Sequence, residues 1–208
     1  SDTTVHPNYS RYVWKSLTYN VYGWSFSSYD VRWGRYDGGM TGTIDNRGFG
    51  RFDLSPVPNG SDVTAATLGY TVYQQTVALP ETTQVRVVPF DAVTASAESV
   101  YSGIGAGVLA GGRGQTTMGL NTVALNAAGV QAIEDRLVSD TLTIGWMYPG
   151  TNWADAIAYS YSNSSRPYIA ITYGPSVPRD VGCTRVLTPV GVVDSGAVVT
   201  PACSVYNY

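Results

Sequence analysis

Large side chains fall on every second residue through most of this chain. In "RYVWKSLTYNVYGWSF" they sit at Tyr12 and Trp14, then Leu17, Tyr19 and Val21, then Tyr22, Trp24 and Phe26, a period of two with changes of register. "VTAATLGYTVYQ", "TQVRVVPF", "DTLTIGWMY", "DAIAYSYS" and "RPYIAITYG" repeat it between clusters of Gly, Pro, Asn and Ser. Successive side chains of a strand point to opposite faces, so the pattern demands strands with one buried face. Many short strands and few helices predict an all-β fold, an antiparallel β-sandwich or jelly roll with one short helix and a C-terminal β extension.

The helix is expected in "LNAAGVQAIEDRLVSD". Asn126 can cap it, Leu125 and Val130 occupy the staple positions, and Val130, Ile133 and Leu137 recur at helical spacing. Glu134 and Asp135 fall on its polar side and read as a solvated face. "YSGIGAGVLAGGRGQTTMG" carries seven glycines between Gly103 and Gly119 and predicts a long loop or an irregular edge strand. It lacks the GK[ST] ending of a phosphate loop. "GPSVPRD" predicts an extended linker over 175–180 between a main domain, 1–174, and a tail, 181–208. That tail is too short to fold alone and must pack on something. Cys183 and Cys203 face each other across an apparent hairpin there, a spacing that suits a local disulfide better than a metal site.

Charge narrows the function classes. Twelve basic and fifteen acidic residues in 208 leave a net charge of -3, with charged residues only 13% of the chain, which argues against a nucleic-acid partner. No stretch approaches the roughly 20 apolar residues of a membrane helix. A single lysine, Lys15, amid abundant Gly, Ala, Thr, Val, Ser and Tyr, and the opening "SDTTVHPN", fit a mature secreted or cell-surface protein. Sequons at Asn8, Asn59 and Asn163 are candidate glycosylation sites.

"RGFGRFDLSPVPNG" places Asp53 at the end of a strand-like run, two residues from Arg51 and on the same strand face. Such a carboxylate is a catalytic acid, a metal ligand or a structural staple. The longer run "YDGGMTGTIDNRGFGRFDLSPVPNGSDVTAATLGYTVYQ" resembles the core signature of DNRLRE-type domains, secreted β-sandwich modules related to carbohydrate-binding modules. "SRPYIAITYG" is similar to the strand that closes those domains, so the resemblance spans roughly residues 2 to 174. It implies the architectural role for Arg51 and Asp53, with hydrogen bonds to the "SPVPNG" turn. The tail "DVGCTRVLTPVGVVDSGAVVTPACSVYNY" resembles the first strands of Ig-like adhesion modules of bacterial surface proteins.

Catalytic groups are scarce. The single histidine, His6, precedes a proline near the N-terminus, and the three glutamates, Glu81, Glu98 and Glu134, form no evident acid pair. Asp37 and Asp45, with Asp30, lie in or near "YDGGMTGTIDN" and are candidate calcium ligands as well as ordinary turn formers. The aromatics are the informative surplus, since ten of twenty-five lie between Tyr9 and Tyr36. Trp14, Tyr19, Tyr22, Trp24, Trp33 and Tyr36 are expected to form a protein interface or a glycan-stacking surface. The sequence thus predicts a non-enzymatic extracellular structural or adhesive protein, self-associating by strand addition through its tail and aromatic region, with a carbohydrate-binding module as the alternative.

Overall fold

The computed structural model describes residues 1–25, 29–77, 82–175, 181–188 and 202–207, with backbone alone for 76–77 and the last two segments. The expected linker falls largely outside these residues. The strands are β1 (Asp2–Val5), β2 (Pro7–Ser16), β3 (Val21–Trp24), β4 (Asp30–Asp37), β5 (Thr43–Asp53), β6 (Asp62–Val77), β7 (Thr83–Val88), β8 (Val108–Arg113), β9 (Gly119–Ala124), β10 (Thr141–Met147), β11 (Ala154–Tyr159), β12 (Tyr168–Gly174), β13 (Val181–Thr188) and β14 (Ala202–Asn207). Two helices interrupt them, α1 (Ala97–Ala106) and α2 (Ala127–Arg136).

The all-β class holds. Twelve strands form one antiparallel sheet in the order β1-β12-β6-β11-β4-β5-β10-β7-β8, with β2 and β3 added on the far edge of β5 and β9 on that of β6. The sheet curls because its two longest strands each change partner. One edge of β5 pairs with β4 over 43–46 and with β10 over 48–53, and one edge of β6 passes from β12 to β11. β11 joins the two by pairing with both β4 and β6, through register shifts at Asp155/Ala156 and Ile157/Ala158. Such bulges sharpen local twist and bend the sheet.

Strand alternation then builds two cores. Phe52, Leu142, Ile144 and Trp146 face the inside of the curl with Trp33, Leu68 and Tyr70, and Ile133 and Leu137 close it from α2 and its 3-10 extension. Trp33, Tyr70 and Trp146 pack ring on ring at 5.5–6.4 Å, and Trp33 Nε1 donates to Thr83 Oγ1 at 3.1 Å. Phe49 and Val13 point the other way and meet Val100, Tyr101 and Ile104 of α1.

α1 corrects the expectation of a single helix and takes the start of the Gly-rich run, while β8 within the same run is an edge strand with a register shift against β7, as expected. Ser96 accepts a hydrogen bond from the Ser99 amide as N-cap, Glu98 sits in the first turn, and Val100, Tyr101 and Ile104 form the buried stripe. Gly in a helix costs about 1 kcal/mol against Ala. Here it permits contact: a Cβ at Gly103 would meet the Phe90 ring at 2.6 Å, and one at Gly105 would meet Arg47 at 2.2 Å. β13 and β14 pair with each other in a separate two-stranded sheet. The disulfide expectation falls on side chains outside the described residues; in the backbone register Cys183 lies opposite Val205 and Cys203 opposite Val186.

Candidate functional site

Arg51 and Asp53 share a strand face but bind different neighbours. Arg51 donates through Nε to Asn8 Oδ1 at 2.9 Å and pairs through its Nη1 with Asp91 at 3.0 Å, while Asp53 Oδ1 accepts the Ser55 amide at 3.0 Å. Both are half-buried, so they tie β5 to two loops and not to each other.

The expected aromatic surface divides. Trp33 is fully buried in the inner core, which removes it from any exposed platform. Alternation along β4 sets it on the same face as buried Val31, in the same core. Tyr22 and Trp24 pack against the core under α1, and Trp14 lies flat over Gly23 with its Nε1 donating to the Trp24 carbonyl. Tyr19 is exposed at the hairpin tip. Tyr36 belongs to a side-chain cluster that the sequence pattern does not single out.

That cluster is organised by Arg32. Its Nε donates to Asp155 Oδ2 at 2.6 Å and its Nη2 lies 2.5 Å from the same oxygen, while the guanidinium carbon sits 3.9 Å from the centre of the Tyr36 ring. Asp155 is fully buried, so the ion pair is anchored from below on β11, where Asp155 stands opposite Gly34. A side chain at Gly34 would meet the Ala154 carbonyl at 2.2 Å. Half-buried Tyr12 from β2 lies beside Arg32, its phenol raised above its ordinary pKa by burial against the opposing pull of Arg32. On the other side Tyr73 donates to Asp30 Oδ1 and stacks on Tyr159 at 4.6 Å. Burial, then the Asp30 carboxylate, holds the Tyr73 phenol firmly protonated. Rings, a planar cation and fixed hydroxyls are thus gathered from β2, β4, β6 and β11.

A second cluster lies under α1. Asp45 is 4% exposed, accepts the Tyr101 hydroxyl, and has Arg35 Nε at 3.6 Å and Arg47 Nε at 4.0 Å. The Arg47 guanidinium stacks 3.8 Å from the Tyr101 ring centre and donates to the Tyr101 carbonyl at 2.6 Å. Lys15 Nζ lies 5.0 Å from the Tyr22 ring centre. Asp45 is therefore engaged by cations, and Asp37 accepts the Gly39 amide at 2.9 Å in the adjoining turn. Among the described residues no group of three or more His, Cys, Asp and Glu is placed to hold a metal ion. His6 Nδ1 lies 3.1 Å from the Pro167 carbonyl and packs against Tyr168, between β1 and β2.

Part of this was readable. A hairpin folded about "GGMTG" sets Arg35 opposite Asp45, and Arg47 follows on the same face. Arg32 and Asp155, 123 residues apart, carry no local signal. No family model matches the sequence, and no curated protein matches it.

Proposed function

We propose that the protein is a non-enzymatic extracellular module, of the β-sandwich or jelly-roll kind, whose adhesive contact is polysaccharide held at the Arg32 cluster. The observation that carries this reading is the Arg32 guanidinium fixed on Tyr36 and Asp155 beside Tyr12, Tyr73 and Tyr159. Ring faces suit the apolar faces of sugars, and a preorganised planar donor suits their hydroxyl oxygens. The ionisable groups of the cluster are bound to one another, Arg32 to Asp155 and Tyr73 to Asp30, an arrangement suited to orientation more than to proton transfer. The test is retention on insoluble polysaccharides and a glycan panel. Tyr36→Ala should weaken binding about tenfold while leaving the thermal midpoint near that of the parent. Absence of binding across a broad panel at millimolar ligand would sink the reading.

A second reading is self-association by strand addition, and β13–β14 favours it. A two-stranded ribbon is marginal in water unless further strands or a packed face complete it, and β13 and β14 hydrogen-bond as a sheet of their own. Electron microscopy of the chain beside a version ending at Gly174 tests it. Filaments lost on truncation support strand addition; dispersed particles in both samples count against it.

A further inference from the structure

We propose that the cationic cluster around Asp45, beneath α1, is a binding site for a single oxyanion: a carboxylate, sulfate or phosphate group. The site is distinct from the Arg32 cluster and stands without it. Cross-strand register sets Lys15 of β2 and Arg35 of β4 on either side of Asp45 of β5, and Arg47 follows two residues along the same strand face. Two arginines therefore flank one carboxylate, and Lys15 stands across from it in register, over the neighbouring Tyr22 and Tyr101 rings.

That carboxylate is already committed. Its Oδ2 accepts the Tyr101 hydroxyl, and the two arginine Nε atoms stand at 3.6 and 4.0 Å, outside hydrogen-bond range. Both Nε–H groups are buried without a hydrogen-bond partner. Lys15 forms no ion pair among the described residues and lies over the rings of Tyr22 and Tyr101, at 5.0 and 6.0 Å. The other carboxylates on neighbouring elements are turned elsewhere: Asp37 is exposed on the Gly39 amide, and Glu98 is exposed in the first turn of α1.

The cluster thus holds two positive charges beyond what Asp45 neutralises, with side-chain exposures of only 21% for Arg35 and 15% for Arg47. Partly desolvated charge of this kind is costly until it is paired. Aromatic faces position Lys15 and Arg47 without cancelling their charge, which leaves it available to a ligand. Guanidinium forks match the planar or tetrahedral oxygens of carboxylate, sulfate and phosphate.

The test is titration of the full chain, followed by calorimetry and amide chemical shifts, with sodium sulfate, phosphate, acetate and glucuronate in chloride at matched ionic strength. Saturable one-to-one binding is expected, with shifts at Lys15, Arg35, Arg47 and Tyr101, and the ranking of the four salts identifies which oxyanion fits. Lys15→Met and Arg35→Gln should each weaken it about tenfold, the scale of one charge-assisted hydrogen bond. Asp45→Asn should tighten it, because the competing carboxylate is gone. Lys15→Met keeps the aliphatic stem over Tyr22, so it remains informative if Asp45→Asn unfolds. Responses that fail to saturate, or that are the same in Lys15→Met as in the parent, would overturn the proposal.

Discussion

Tyr70 sits inside the curl between Trp33 and Trp146 and is 1% exposed. Its hydroxyl faces Thr116 without reaching hydrogen-bond geometry, and burial pushes the phenol up to about 12 against the pull of Thr116 and Arg113. In the unfolded chain the same group titrates near ~10. The folded state therefore holds the extra proton between these values; its stabilising effect is complete below about pH 10 and is lost as pH rises toward 12. Tyr70→Phe should be within about 1 kcal/mol of the parent at pH 8, where an unbonded hydroxyl contributes little, and should lose less stability above pH 10. Urea midpoints from pH 8 to 11.5 measure it, and superimposable pH profiles would remove Tyr70 as a source of alkaline instability. Single residues were legible where their partner is close in sequence. The Asp53 contact with the Ser55 amide follows from local chain geometry, whereas Asp45, expected as a turn former or calcium ligand, has Arg35 beside it across the β4–β5 hairpin. Trp33 was misleading because alternation assigns it, with Val31, to a strand face without saying which face the fold buries.

At the scale of elements, α2 announces itself through Asn126, whose side chain accepts the Gly129 amide at 2.9 Å. α1 does not, because its glycines lower intrinsic helix propensity and the compensation is tertiary: Arg47 donates to the Tyr101 carbonyl and Ile104 fills the notch left by Gly145. A helix so dependent on its ends and its underside should be sensitive to its cap. Ser96→Ala should cost about 1 kcal/mol, and Ser96→Asp should restore most of it, since aspartate caps the same amide and favours the helix N-terminus. Denaturant unfolding of the three proteins checks this. Equal midpoints for Ser96→Ala and the parent would mean that the cap adds nothing beyond packing. The division of β11 between β4 and β6 has no counterpart in local sequence, since it depends on partners more than 70 residues away in the chain.

Across the whole molecule, β5 and β10 are shared walls. Phe52 and Trp146 line the inner core, while Phe49 of β5, and Gly145 of β10 against Ile104, lie on the side covered by α1. β5 also carries Asp45 and Arg47 of the cationic cluster and, through its pairing with β4, supports the strand that presents Arg32. If α1 were an appendage, losing its packing would leave the inner core standing. Shared strands predict otherwise. Ile104→Ala removes a fully buried side chain and should destabilise by about 2–5 kcal/mol. Near-UV circular dichroism reports the buried tryptophans and far-UV circular dichroism the backbone, and the two should lose their signals together, at one lowered midpoint. Separate midpoints, with the tryptophan environment outlasting the helix, would show the two cores to be energetically independent and the Asp45 cluster to rest on α1 alone.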